Sequence, residues 1–436
     1  MSCCDRDPET PRGVRAYSRR DLFSLAARGA GAALVAPSML DLLFRHAAAQ
    51  AVDQGRAQKR LVVLWMEGGP SQIDTFDPKP GAATNGPFQA IPTGQSGWLM
   101  GEHLPELAKR AERLAVVRTL TSKEGNHARA RELLHCGYTP NPSVAFPPLC
   151  AIAAHEFGDL DADLPAFVQI GGTAGSGGYL GTKSAPFVVT DPTKRVENLT
   201  YAKGMTRDHL DEREAMCDLL DAEFARQGAE RAVEENLAQR RRARRLMDSK
   251  LRTAFDLNIE KKTSLSAYGR SKFGGGCLLA RRLLEAGVTA VEVVLENWDT
   301  HVDNFNKTRE LCKQLDPAFS ALLDDLRTRD LLQDTLVVCM GEFGRTPSIN
   351  PSDGRDHWPN NSCVVLAGGG IKPGLVLGAT DERGENIVQR PVQVADLFAT
   401  LAQALGIERD KEFLATTRRP VKLVDPNGVV VPELLA

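Results

Sequence analysis

The sequence predicts an α/β fold: a doubly wound, mainly parallel sheet that carries a charged helical insertion. Short apolar runs of strand length alternate with helix-length amphipathic segments, the alternation that builds βαβ units. The runs are apolar throughout rather than at every second residue, as strands covered on both faces require. A chain of 436 residues is ample for one such domain with insertions, or for two smaller ones.

At the N-terminus, Tyr17-Ser18-Arg19-Arg20-Asp21-Leu22-Phe23 precedes an apolar, Ala-rich stretch at 25–44, and Ala47-Ala48-Ala49-Gln50-Ala51 follows with small residues suited to cleavage. This is the three-part layout of a secretory signal, and the Arg pair makes it the twin-arginine kind. The alternative is a mature N-terminal helix that happens to carry Arg-Arg. Arg28, Pro37 and Asp41 interrupt the stretch, which makes it a poor membrane span. Residues 1–50 are therefore expected to be a signal for the twin-arginine export machinery, 51–60 a polar linker and 61–436 the folded domain. A chain of this kind folds before export and resides in the periplasm or at the cell surface; cleavage near Ala49 or Ala51 and retention as an anchor both stay open.

The first expected strand is 60–66, with the apolar run LVVLWM, closed by the turn cluster Glu67-Gly68-Gly69-Pro70-Ser71. Strand 114–119 leads through the loop TSKEGNH into a helix at 128–136. Strand 166–170 precedes a Gly-rich loop at 171–181, which lacks the Lys-Ser/Thr and the following helix of a phosphate-binding P-loop. Residues 206–255 are highly charged and helix-periodic, an inserted hairpin or subdomain whose basic run at 240–245 reads as a solvated helix face. A helix at 273–286 ends at Gly287 as its C-cap. Strand 288–295, a helix at 317–329, strands 335–340 and 362–367 and a last helix at 393–405 complete the pattern.

Composition excludes several classes. With 54 basic and 56 acidic residues, a net charge of −2 gives no footprint for nucleic acid. Nine cysteines without a CxxC pair rule out zinc-ribbon and thioredoxin motifs. Cys339 and Cys363 lie in strand-like runs as small buried hydrophobes, and a core of this size needs no disulfide framework.

Polar residues gather just past the C-terminal ends of the expected strands, where this fold class binds ligands. After the first strand, Glu67, Asp74 and Asp77 are carboxylates of a kind that holds hard cations, although acids are also common in turns. After strand 288–295, Asp299, His301 and Asp303 alternate, so an extended backbone would project them to one face as a Zn, Mn or Mg site. The alternative there is a helix N-cap by Asp299 or Thr300. After strand 335–340 come Glu342 and Arg345, then Arg355, Asp356 and His357. The acids and the imidazole suit a metal and the arginine forks an oxyanion; salt-bridged surface loops are the alternative. The stretch from Ser122 to Arg131 joins a strand to a helix start, a natural anion site. It contributes Ser122 and His127 as nucleophile candidates and Arg131 as a charge stabiliser. His135, two turns along, reads equally well as structural.

The stretches GGPSQIDTFDPKPG, TSKEGNHARARELLHCGY, YGRSKFGGGCLLARRLLEAGV, WDTHVDNF, GEFGRTP and GRDHWP, spread over about 61–407, resemble the family known as domain of unknown function 1501. That family is regarded as a distant branch of the alkaline phosphatase superfamily, with sulfatases, phosphodiesterases and cofactor-independent phosphoglycerate mutases. The segment PVQVADLFATLAQALGI is similar to the closing helix of sulfatases. The resemblance implies an alkaline-phosphatase-like sheet, two metals held by Asp and His at strand ends, and a nucleophile at a helix start. On it, Asp299 and His301 match the Asp and His of one metal, His357 the late His ligand, and Glu342 a position where Asp is usual. Glu67 stands nearest the first-strand Asp, with Asp74 as its rival; Asp356 adjoins His357.

One departure bears on the reaction. Sulfatases mature a Cys or Ser in Cys/Ser-x-Pro/Ala-x-Arg. With Arg131 and Gly137 as anchors, His127 falls at that position, so formylglycine chemistry is not expected. Ser122 and Thr121 sit a turn early, and His127 is left as a metal ligand, a phospho-accepting nucleophile, or neither. The expectation is an exported, divalent-metal-dependent hydrolase of a phosphate or sulfate ester of a small molecule or glycan. A non-catalytic exported binding or scaffold protein and a phosphoryl transferase or mutase are the alternatives.

Overall fold

The apolar runs become the centre of one nine-stranded sheet. The structure, a computed structural model, describes residues 59–173, 175–415 and 419–436; the expected signal and nearly all of the linker lie outside these residues. The strands are β1 (Arg60–Met66), β2 (Leu114–Thr121), β3 (Phe167–Ile170), β4 (Phe187–Val189), β5 (Ala290–Leu295), β6 (Thr335–Met340), β7 (Ser362–Ala367), β8 (Leu375–Leu377) and β9 (Val392–Gln393). Their order is β8-β2-β7-β6-β1-β5-β3-β4, with β9 also paired to β2. Every residue of β1, β5, β6 and β7 is buried, as predominantly apolar strands covered on both faces demand.

Eight of the nine strands pair in parallel with at least one neighbour, whereas β7 runs antiparallel to both β2 and β6. A parallel return requires a crossover, usually a helix. None lies between Met340 and Ser362, so the chain doubles back. The consequence is local and large: the whole segment 341–361 stays at the edge of the sheet where β6 ends and β7 begins.

Helices cover both faces. Leu61, Val63 and Trp65 of β1 share a core with α1 (His127–Cys136), α2 (Leu149–Phe157) and α7 (Val394–Leu405). On the other side α5 (Lys272–Glu285) packs on β5, and α6 (Asn304–Thr328) packs on α5. Between β4 and α5 the insertion forms α3 (Arg207–Phe224) and α4 (Glu230–Asp248), with Gly228 at φ 92° in the bend. Part of the basic run pairs across this hairpin, Arg240 with Asp218 at 3.2 Å and Arg244 with Glu214 at 2.8 Å. Cys339 and Cys363 are buried in β6 and β7.

Two elements differ from expectation. The sequence places a helix start at Pro317, a residue suited to a first turn. The helix instead begins at Asn304 and holds Pro317 inside it. Burial of Leu311, Cys312, Leu315, Phe319 and Leu322 along one face outweighs the single backbone hydrogen bond that proline forfeits. Helix α2 has no polar face to give it a period, since Leu149 to Ala154 are all buried, and so the sequence pattern does not reveal it.

A buried ion pair ties the site loops to the framework. Arg355 and Asp74 are both inaccessible, and Asp74 accepts from Arg355 Nε at 2.7 Å and Nη2 at 2.9 Å. Asn304 Nδ2 donates to the same carboxylate at 2.8 Å, and Arg355 also donates to the Thr84 carbonyl at 2.8 Å. With its donors spent on the protein, Arg355 is turned inward. Asp74→Asn leaves a buried guanidinium without its counter-charge and is expected to cost about 3–5 kcal/mol in urea unfolding; a loss below about 1 kcal/mol would mean that water reaches the pair.

Candidate metal centre

Three loops meet where β1, β5 and β6 end. Gly68 follows β1 at φ 114°, and a Cβ there would run into the backbone of Trp298 and Asp299. Glycine is what allows the β1 and β5 loops to approach so closely. The amide of Trp298 donates to the Glu67 carbonyl at 2.9 Å. From the β6–β7 segment, Arg345 and His357 face each other across a two-residue antiparallel ribbon. Asn350 Nδ2 holds the His301 carbonyl at 3.0 Å, and the Arg355 amide holds the Thr300 carbonyl at 3.1 Å.

Four side chains converge on one point. His127 is the first residue of α1, whose N-cap Asn126 accepts from the amides of Ala128 and Arg129. His127 Nδ1 lies 2.7 Å from Glu342 Oε1, His301 Nδ1 lies 2.6 Å from Asp356 Oδ1, and His357 Nδ1 lies 2.8 Å from the Gly125 carbonyl. Carboxylates and carbonyls only accept, so each Nδ1 carries a proton, and in the neutral ring each Nε2 keeps its lone pair. The Nε2 atoms turn to Asp299: His301 at 3.2 Å and His357 at 3.4 Å from Oδ1, His127 at 3.4 Å from Oδ2. His301 Nε2 and His357 Nε2 are themselves 2.9 Å apart. Two lone pairs at that distance require a cation or a shared proton between them.

The charges are held from behind. Arg345 is fully buried and donates to Asp299 Oδ1 at 2.6 Å, to the Gly69 carbonyl at 2.8 Å, to the Arg355 carbonyl at 3.1 Å and to the Gly68 carbonyl. Burial pushes its guanidinium below the usual range, and Asp299 opposes that. Partial burial would raise the Asp299 carboxyl, but the Arg345 hydrogen bond and charge hold it below the ordinary range. The Glu342 hydrogen bond lifts His127 above the usual imidazole value. Partial burial lowers His357, with the Arg345 charge acting in the same direction.

The residues singled out in the sequence thus separate. Asp299, His301, His357 and His127 come together. Glu342 and Asp356 stand one layer back, each holding an imidazole; Glu342 also accepts from the Gly68 amide at 3.0 and 3.1 Å. Arg345 faces Asp299 and not solvent, and Asp74 and Arg355 are spent on each other. Asp77 is buried against Thr380 and Lys79. Asp303 does not share the face of Asp299 and His301: it turns to the left-handed region at φ 54° as the N-cap position of α6, and Asn306 donates to its carboxylate at 2.7 Å. Ser122 Oγ accepts from the Glu124 amide at 3.3 Å, and no hydrogen bond joins it to the histidines among the described residues. Glu67 is ion-paired with Arg131, one turn along α1 from His127. Sequence reasoning missed the Gly125 carbonyl, which no side-chain pattern reveals, and Glu292, a lone carboxylate inside the apolar run of β5 that was legible as an anomaly.

Three imidazole nitrogens and one carboxylate are the donor set that zinc takes. His127, Asp299 and His357 offer atoms within 4.8 Å of one another, and His127 Nε2 is shielded from solvent without a hydrogen-bond partner among the described residues. The residues therefore fit a divalent ion.

Fold and cluster together define an α/β protein with a histidine–aspartate centre at the carboxyl ends of a mainly parallel sheet. The chain belongs to the family described as "Protein of unknown function (DUF1501)", whose model matches residues 58–435. No curated protein sequence matches it. Among solved structures it is similar to a protein in the alkaline phosphatase superfamily from Vibrio parahaemolyticus, at 12% identity and TM-score 0.37, over 80% of this chain and 67% of that one. It is also similar to a putative sulfatase from Bacteroides thetaiotaomicron, at 11% identity and TM-score 0.41, over 87% and 75%. The C-terminal periplasmic domain of EcEptC from Escherichia coli, solved in complex with Zn, is similar at 10% identity and TM-score 0.38, over 87% and 92%. Likeness at this level carries nothing about reaction or substrate.

The contacts behind the histidines can be tested. Glu342→Gln keeps the side-chain size but weakens the acceptor that fixes the His127 tautomer, so zinc affinity in a competition titration is expected to fall about 10- to 100-fold. Unchanged affinity would mean that Glu342 does not orient a ligand.

Proposed function

We propose that the protein is an exported, metal-dependent hydrolase of a phosphate or sulfate ester. One observation carries the reading: three imidazoles, each held at Nδ1 by an acceptor, turn three Nε2 atoms onto one carboxylate, and two of those nitrogens lie 2.9 Å apart. His127, Asp299, His301 and His357 would hold the ion, with Glu342 and Asp356 fixing two of the rings. A divalent ion there would polarise an ester oxygen and lower the pKa of a bound water. The sequence of residues 17–51 supports export by the twin-arginine route, after folding.

Arg131 is the arginine left to meet an anionic ester. Arg345 and Arg355 are inaccessible, whereas the Arg131 side chain is 35% exposed and stands four residues after His127 on α1. Its partner Glu67 holds it in place and would yield one donor to an ester oxygen. With no hydrogen bond from Ser122 to a histidine that could take its proton, among the described residues, and the His127 ring facing the cluster, water is the acceptor of the transferred group. One observation favours the binding-protein alternative: Arg131 already has a carboxylate partner, so the centre spends none of its arginines on a free anion site.

Elemental analysis separates the two readings. The chain purified without chelator is expected to carry zinc or a related divalent metal, lost in a His127→Ala/Asp299→Ala double variant, and to hydrolyse a member of a phosphate and sulfate ester panel. Metal without turnover would favour the binding protein; no metal in either sample sinks the proposal. In the active enzyme, Arg131→Ala is expected to lower kcat/KM about 10- to 100-fold, the worth of a hydrogen bond to a charged group.

A further inference from the structure

Beyond His127, helix α1 roofs a cavity of about 320 Å³ on the sheet face that carries Trp65 and Glu67. That volume lies near the lower end for small-molecule sites. Arg131 and His135 hang into it from α1, Gln169 rises from β3 and Glu292 from β5. The lining is polar in an unusual way. Apart from Glu132, which is exposed, its charges fall in pairs, Arg131 with Glu67 and His135 Nε2 with Glu292 at 3.2 Å. A charged group beside the His135–Glu292 pair would leave one member uncompensated in a poorly solvated place, which is costly, so that end of the cavity selects a neutral occupant.

Hydrogen-bonding capacity in the lining is left over in both senses. Trp65 is buried, yet its Nε1 has no acceptor among the described residues, and neither has the buried Nε of Arg131. Buried indole N–H groups normally find a partner. Glu292 is 4% exposed and keeps acceptor capacity beyond its contacts with His135 and with Gln169 Nε2 at 3.3 Å. Gln169 in turn fixes the Gly-rich rim, donating to the Thr173 carbonyl at 2.8 Å and accepting from the Gly175 amide at 2.8 Å. Unmet donors beside spare acceptors call for groups that both accept and donate, which hydroxyls do. Phe146 and Phe167 add apolar surface for the C–H face of a ring.

We propose that this cavity binds the alcohol portion of the ester as a neutral, polyhydroxylated ring, a sugar or a cyclitol, with Trp65 and Glu292 as its specificity-determining residues. The assignment rests on the hydrolase reading above, because the cavity lining includes Ala128, next to His127, and Arg131, one helical turn or about 6 Å along the axis, and so lies within reach of a ring whose ester group is at the histidines.

Ring binding is measurable without turnover. Saturation-transfer NMR on the full chain, with methyl glycosides and inositols as probes, is expected to show transfer to the ring protons of at least one class, and the class that responds identifies the source. Trp65→Phe, which keeps an aromatic ring but removes the N–H, and Glu292→Gln are each expected to weaken that binding roughly three- to tenfold, the worth of one hydrogen bond, with metal content unchanged. Absence of transfer from both classes, or transfer indifferent to both variants, overturns the proposal. If metal is bound and simple aryl esters are cleaved while no ring binds, the ring assignment alone falls. Ring binding in a chain that carries no metal would support the cavity and sink the hydrolase reading.

Discussion

Arg345 is the residue around which the site is assembled. A guanidinium without solvent access is tolerable only if its donors are used, and Arg345 spends them on the loops that follow β1, β5 and β6 at once. It reaches two carbonyls of the Gly68–Gly69 turn, the Asp299 carboxylate and the carbonyl of Arg355. Moving any of these loops would strand a buried charge. Asp299 is therefore fixed before any ligand arrives, and a fixed carboxylate is what allows three neighbouring imidazoles to be aimed at it.

The reversed strand β7 supplies the geometry that Arg345 exploits. A parallel strand in its place would have taken the chain through a crossover to the far end of the sheet and carried residues 346–361 away from the centre. Because β7 runs antiparallel, the chain lingers at the sheet edge long enough to present Glu342, Arg345, Asp356 and His357 in 16 consecutive positions. Gly354 sets how closely that loop seats: a Cβ there would run into the His301 carbonyl. The loop that bears His357 and the loop that bears His301 are thus packed backbone to backbone, and the 2.9 Å between their Nε2 atoms follows from that packing.

Much of this was legible in the sequence, for reasons that also explain what was not. β1, β5, β6 and β7 are predominantly apolar, Glu292 being the one charge in their interiors, and pattern alone locates them. Strands β8 and β9 have three and two residues and owe their pairing to β2, which local sequence cannot express. The clustering of Asp299, His301 and His357 was legible because acids and histidines rarely accumulate at several strand ends without a use. Their sorting was not. Asp74, Arg355 and Arg345 look like ligands and oxyanion clamps in a one-dimensional reading, since a buried ion pair and an exposed catalytic pair use the same residue types. Only burial distinguishes them. Glu342 was read as a ligand for the same reason, whereas its carboxylate is occupied by the Gly68 amide and the His127 ring.

Helix α1 runs from the candidate metal centre to the cavity, and this gives the two a fixed relation. His127, Arg131 and His135 recur every four residues, so they line one face of the helix. Asn126 caps the helix at one end and Gly137, at φ 75°, closes it at the other. His127 is gripped by Glu342 beneath the β1 turn, and His135 by Glu292 in the sheet and by the Trp65 ring 4.0 Å away. A rod held at both ends cannot adjust the spacing between its first residue and its ninth, about 12 Å. A ligand that touched both His127 and the cavity floor would therefore be measured against a rigid gauge, and fit would be decided by the ligand's own length and hydroxyl pattern. Sites built on helices and strands are more exact than sites built on loops for this reason. Here the loops are conscripted into the same rigidity by one buried arginine.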